Sequence, residues 1–231
     1  MIVNADDFGL TTGVSRGIID AHTRGIVTSA SLMVRYPAAK DSAEEARRYP
    51  ALSVGLHLDL GEWRYANGEW IATYEVVDAS DAATVADECS RQLAQFGELT
   101  NQTPTHLDSH QHVHLSEPVR TIMTQLAADL RVPLRGCSAA VTYCGSFYGQ
   151  TGEGEAYPEG ISAASLTRTI ECLSSGWTEL GCHPGHPAGL DSVYRDERAE
   201  EVRVLCDPAV RLAVERSGVE LRSFRDLQAD R

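Results

Sequence analysis

Short apolar runs rich in β-branched residues alternate along the chain with longer stretches whose apolar positions recur every three or four residues. The first spacing suits buried strands and the second amphipathic helices. Strands are expected at 2–4, 27–34, 52–58, 105–109, 134–135, 179–183 and 219–221, and helices at 13–24, 38–49, 81–96, 117–129, 163–174 and 196–205. A last helix starts at Asp207-Pro208, where the Asp can cap and the Pro suits the first turn, and stops near Gly218. Strand and helix in succession predict an α/β fold with a largely parallel sheet, either a barrel or doubly wound.

Two segments interrupt that rhythm. Residues 61–74 carry Asn67-Gly68 between aromatic-flanked arms, the mark of a tight β-hairpin that leaves the main sheet. Residues 143–160 hold five glycines and one proline, too many for a strand or helix interior, and read as a surface loop near the functional site or a lid.

A chain of 231 residues, 42% apolar, suffices for one well-packed domain spanning 1–231. Thirty-three acidic against twenty basic side chains give a net charge of −13, a field that repels polyanions, so nucleic acid is not an expected partner. The only lysine, Lys40, stands in an Ala-rich stretch with no Gly-rich loop before it, which argues against phosphate-loop and Schiff-base chemistry. No apolar run approaches the roughly 20 residues of a membrane helix. The first residues lack the charged and apolar regions of a signal peptide, so a cytoplasmic location is expected. Six cysteines without a CxxC pair are expected to be reduced and mostly buried.

The densest chemistry is His106-Leu107-Asp108-Ser109-His110-Gln111-His112-Val113-His114, which holds four of the chain's eight histidines. Imidazole is the commonest metal ligand at neutral pH and carboxylate its usual hard partner, so this cluster at a strand end reads as a metal site. Continued strand would place 106, 108 and 110 on one face, whereas a helix would align His110 with His114. A core histidine network is the competing interpretation. Asn4-Ala5-Asp6-Asp7-Phe8-Gly9 follows the first strand; adjacent aspartates repel and are brought together where a cation or shared proton offsets the repulsion. One could bind a metal while the other takes a proton from water, or one could merely cap the next helix. His57 in Gly55-Leu56-His57-Leu58-Asp59-Leu60 and His183 in Gly181-Cys182-His183-Pro184-Gly185 also fall at strand ends, the shared rim of a parallel sheet. Cys182 could be a ligand or nucleophile, but the flanking Leu180 and Gly181 suggest buried packing.

NADDFG near the start, TSASLM at 28–33, GLHLDL at 55–60, TPTHLDSHQHVHL at 103–115, FYG at 147–149 and CHPG at 182–185 occur in this order over nearly the whole chain. Together they resemble the YdjC-like, ChbG-type carbohydrate deacetylase family. The resemblance implies a TIM-barrel-like, irregular β/α barrel in a single domain, and a metal-dependent hydrolase that removes an acetyl group from an N-acetylated sugar. It implies Asp7, His57 and His110 as ligands of one divalent ion, zinc or magnesium. It makes Asp6 the general base and His183 the group that protonates or polarises the leaving nitrogen. Tyr148, in the FYG motif, becomes a substrate neighbour. Gln111 departs from the family pattern: many relatives read HHHVH where this chain has His110-Gln111-His112-Val113-His114.

Hydrolysis of an acetamide needs a Lewis acid on the carbonyl, a base for the water and an acid for the nitrogen, and that residue set supplies all three. Trp63, Tyr65 and Trp70 on the hairpin, with Phe147 and Tyr148 on the Gly-rich loop, could offer flat faces to a sugar ring or pack the core. Three alternatives stand beside this interpretation: an iron oxygenase using the His106-Leu107-Asp108 pair, a non-catalytic metal- or sugar-binding domain with four closed ligands, and hydrolysis of another amide or a phosphoester. A homo-oligomer is compatible with the sequence.

Overall fold

β1 (Ile2–Phe8) is buried along its whole length, as expected of a strand in the interior of a parallel sheet whose faces are covered. In a computed structural model, residues 1–66, 68–190 and 192–229 are described. After β1 come α1 (Thr12–Arg24), β2 (Ser29–Leu32), α2 (Ala39–Ala46) and β3 (Ser53–Leu58), then the hairpin strands β4 (Gly61–Ala66) and β5 (Glu69–Glu75) and the long α3 (Ala82–Thr100). β6 (Leu107–Ser109) leads through a 3₁₀ segment, His110–Leu115, to α4 (Val119–Leu130). β7 (Thr142–Cys144), a 3₁₀ turn at Pro158–Ile161, α5 (Ala163–Glu171), β8 (Thr178–Cys182), α6 (Arg195–Leu205), α7 (Pro208–Arg216) and α8 (Phe224–Ala229) complete the chain.

Six strands form one sheet in the order β6-β3-β2-β1-β8-β7, every neighbouring pair parallel. A flat sheet would hold its edge strands roughly 24 Å apart. Yet the ring of His112, just beyond β6, lies 3.3 Å from the hydroxyl of Tyr143 on β7. The sheet therefore curls until its two edges nearly meet, an irregular barrel with a gap that Leu134 narrows by a single bridge to Leu107. The expected TIM-like α/β barrel is what the chain builds.

Local chemistry explains the element ends. Thr11 caps α1 by accepting from the amide of Val14, so neither aspartate of the pair is a helix cap. Asp81 and Asp207 cap α3 and α7 in the same way, the latter with Pro208 in the first turn. Gly17 lets α1 approach the chain after β8: a Cβ there would sit 2.5 Å from the Cα of Gly185.

The structure corrects several expected elements. Residues 219–221 are not a strand; the carbonyl of Glu220 accepts from the Met1 amino group and Arg222 N–H donates to Met1, but both edges of β1 are already taken by β2 and β8. Residues 134–135 contribute one bridge rather than a strand. β7 lies at the start of the glycine-rich segment, hidden in the sequence by the glycines that follow. The hairpin pairs Ala66 with Glu69 as a two-residue turn requires; Asn67 itself lies outside the described residues.

Candidate active site

A regular strand would aim Asp6 and Asp7 at opposite faces. β1 does not stay regular: Asp7 has a left-handed backbone, φ 64°, and the pairing with β2 shifts register between Ala5 and Phe8. This bulge turns both carboxylates into one cavity of about 730 Å³, which His57, His110, Tyr148 and His183 also line.

Asp7 Oδ1 lies 3.3 Å from His57 Nε2 and 3.1 Å from His110 Nδ1. On its far side His57 Nδ1 donates to Asp108 Oδ1 at 2.8 Å, because the two residues are register partners on β3 and β6. His110 Nε2 likewise faces Glu62 Oε2 at 3.9 Å. Each imidazole thus offers one nitrogen to the centre; His57 gives its other to a carboxylate, the arrangement that orients metal-binding histidines, and His110 points its other towards one. Burial resists charge on these rings, but the carboxylates outweigh it and push His57 up to about 10 and His110 up to about 9. The centre attracts positive charge, and its three donors lie within 4.8 Å of one another. Two imidazole nitrogens and one carboxylate oxygen fit a divalent cation with positions left open.

Burial would raise both aspartates, yet each is held below its usual value by a guanidinium. Arg135 forks onto Asp6 with two bonds of 2.6 Å, and Arg198 reaches Asp7 Oδ2 at 2.5 Å, holding it well below. The cations that offset the Asp-Asp repulsion therefore include two arginines from far along the chain. Arg135 also lies 2.9 Å from Asp108 and 2.8 Å from Glu179, so one buried cation serves three buried carboxylates. Burial pushes Glu179 up to about 7 despite this partner.

His183 follows β8 directly, with Nε2 3.7 Å from Asp6 Oδ2. Burial pushes this imidazole down to about 4, and its Nδ1 has no hydrogen-bond partner among the described residues. Tyr148 stacks on Tyr194 at 4.7 Å between ring centroids, and both meet the His183 ring edge-on. The Tyr194 hydroxyl donates to Glu201 and accepts from the Gly149 amide, while Glu201 accepts the His183 amide. The glycine-rich loop is thereby tied to the histidine it covers.

All six residues expected from the sequence, Asp6, Asp7, His57, His110, Tyr148 and His183, come together at this cavity. The histidine cluster divides. His110 enters the site. His114 bonds Ser109 and the Arg135 carbonyl, and His106 bonds Ser31 and Thr105 while stacking on Phe224 at 3.8 Å. His106 and Asp108 therefore do not form the triad of an oxygenase, and the parallel barrel is not the jelly roll usual for one. Phe147 is buried in the core and also lines the inner wall of the cavity. Cys182 is buried with its thiol directed to the Asn4 carbonyl.

Sequence reasoning missed Arg135, Arg198, Tyr194 and Glu201. A signal existed for two of them: α6 places Arg198, Glu201, Val202 and Leu205 on its buried side, so charges occupy positions where an amphipathic helix should be apolar.

A family model described as YdjC-like protein matches residues 1–216. The chain belongs to the YdjC-like family. This YdjC-like chain is 33% identical over 246 residues to a carbohydrate deacetylase of Geobacillus stearothermophilus, with 97% of the chain and 96% of the relative covered. It is 31% identical over 256 residues to a chitooligosaccharide deacetylase of Serratia marcescens, covering 98% of each. Among solved structures, one from Enterococcus faecalis V583, described as a candidate cellobiose-phosphate cleavage protein, superposes with a TM-score of 0.77 at 25% identity over 98% of this chain and 97% of that one. No helix among the described residues is long and apolar enough to cross a membrane.

Proposed function

We propose that the chain, as one catalytic domain spanning residues 1–231, is a metal-dependent hydrolase that removes the acetyl group from an N-acetylated sugar. The observation that carries this reading is the convergence of Asp7, His57 and His110 beside Asp6 and His183 in one open cavity. The deacetylase names of relatives at 31–33% identity over nearly full length support it.

Asp7, His57 and His110 hold the cation. Two imidazoles to one carboxylate suit zinc better than magnesium, which prefers an all-oxygen shell. When bound, the ion supplies Lewis-acid polarisation of the acetamide carbonyl and lowers the pKa of a neighbouring water. Asp6, kept ionised by the Arg135 fork, is the base that accepts the proton of the attacking water. Burial pushes the His183 imidazole down to about 4, which disfavours its charged form at rest. It polarises the leaving nitrogen, or relays to it the proton that Asp6 has just accepted across their 3.7 Å separation. Tyr148 walls the cavity beside His183 and bounds the sugar.

Only three protein donors gather at each candidate metal cluster among the described residues, which favours an open catalytic site over the four closed ligands of a structural one. The test is acetate release from a panel of N-acetylated mono- and oligosaccharides, using chelator-stripped protein and protein reloaded with zinc or magnesium. Release that returns with metal supports the assignment. A metal-loaded protein silent on every sugar overturns it.

A further inference from the structure

The hairpin β4–β5 is a sheet of its own, unpaired with the barrel. A lone two-stranded hairpin is marginally stable in water, so something must hold it in place. At its base the Tyr74 hydroxyl donates to buried Asp59 at 3.0 Å and contacts the Tyr36 hydroxyl. Midway along, the side chain of Gln111 takes the outer edge of β4: the Trp63 amide donates to Gln111 Oε1 at 2.8 Å, and Gln111 Nε2 donates to the Trp63 carbonyl at 2.7 Å. A planar amide with one donor and one acceptor thus reproduces a rung of β-ladder on a free strand edge. Gln111 reaches there because it and His112 adopt left-handed backbone, φ 49° and 55°, directly after His110.

Beyond that clip, Tyr65 and Trp70 face each other across the hairpin at 5.6 Å, edge to face, and both line the cavity that holds Asp6, Asp7 and His183. Trp70 is 59% exposed, too much for a core residue of its size. Glu62 is near His110, and Tyr65 lies three residues further out, roughly 10 Å along the strand. A ring whose acetamide sits at the Asp7, His57 and His110 centre does not extend to that pair; a neighbouring ring of the same chain does.

We propose that the β4–β5 arm is an outer sugar subsite in which Tyr65 and Trp70 stack on the ring next to the one being deacetylated, and that Gln111 is the positioning residue that fastens this arm over the metal-ligand turn. This inference rests on the sugar-deacetylase reading and adds to it the residues that would hold the neighbouring unit of an oligosaccharide. The apolar faces of aromatic rings suit the carbon faces of a pyranose, and the polar edges remain in water.

Steady-state acetate release from an N-acetylated monosaccharide, its disaccharide and its trisaccharide tests this for the wild type, W70A, Q111A and Q111E. In W70A and Q111A the ratio of kcat/KM on disaccharide to kcat/KM on monosaccharide falls roughly three- to tenfold, the scale of one aromatic contact, with the loss in KM. Q111E keeps the acceptor and loses the donor, so it falls between Q111A and wild type. Gln111 and Trp70 are exposed, and unchanged melting temperature and zinc affinity check that fold and metal centre persist. An equal loss on all three sugars in Q111A would mean that the side chain merely props His110, and an unchanged ratio in W70A would remove the subsite; either overturns the proposal while leaving deacetylation intact. A wild type that releases acetate from none of the sugars overturns the deacetylase reading itself.

Discussion

Replacing Arg135 with lysine keeps the buried charge and removes its shape. The guanidinium donates twice to Asp6 at 2.6 Å and meets Asp108 at 2.9 Å and Glu179 at 2.8 Å. An ammonium is a point donor on a flexible stem and cannot span the two Asp6 oxygens while serving the other carboxylates. Losing about two charge-assisted hydrogen bonds at roughly 1.5–3 kcal/mol each costs about 3–6 kcal/mol. That is a large part of the roughly 5–15 kcal/mol of a typical domain. For a chain of this size it lowers the melting temperature by roughly 6–24 °C. Arg135 is 3% exposed and does not line the cavity, so KM for the sugar should change little. Asp6, no longer gripped on both oxygens, loses its aim at the water, and kcat falls by about 100-fold, the scale of a displacement near 1 Å. Calorimetry and initial rates of acetate release at saturating metal measure both. A lysine variant that melts within 2 °C of wild type, by the order of magnitude of a neutral surface change, and keeps its kcat would refute the claim that the fork positions the base.

Asp6→Asn leaves the three metal donors untouched, so metal affinity should persist while kcat drops about 10²–10⁴-fold; near-full turnover by the metal-loaded variant would reassign the base. His57→Ala removes a donor and strips Asp108 of its imidazole partner, and zinc affinity should fall by more than about 100-fold. The zinc-induced rise in melting temperature, worth about 2.7 kcal/mol at a hundredfold excess over Kd in the wild type, should then largely disappear; its persistence would place the ion elsewhere. Glu201 is pushed up by burial to about 8 although Tyr194 and the His183 amide favour its carboxylate. A carboxyl raised in the fold contributes full stability below its unfolded value near 4.5, and that contribution is lost as pH rises towards 8. Glu201→Gln should therefore flatten the decline of melting temperature between those limits, and an unchanged slope would show that Glu201 is not the group responsible.

The fold class and the acids and imidazoles at strand ends were legible because each has a local signature, whereas Tyr148 and the choice of His110 within its cluster came from the family resemblance. The parallel barrel follows from alternating strand and helix periods, which depend on neighbours two to four residues apart. Asp6, Asp7, His57, His110 and His183 each sit at a strand end, and a parallel sheet brings all such ends to one rim. The histidine-rich run was legible as a cluster but not as a division of labour. Only the turn after β6, with its left-handed Gln111 and His112, sends His110 into the site and leaves His106 and His114 in the interior. Likewise the bulge at Asp7, which sets both aspartates in one cavity, has no sequence mark beyond the pair itself.

By itself, then, the sequence determined the architecture and that acids and imidazoles at several strand ends share one rim, since both depend on short-range pattern and on the geometry common to parallel sheets. Tertiary structure alone decided who neutralises and holds them: Arg135 and Arg198 lie 129 and 191 positions beyond the aspartates they grip. A buried charge must find its partner in space, whatever its distance along the chain, and desolvation makes that partner obligatory. No local pattern encodes such a pairing, because it exists only after the sheet has curled far enough for its two edges to face each other across the same cation.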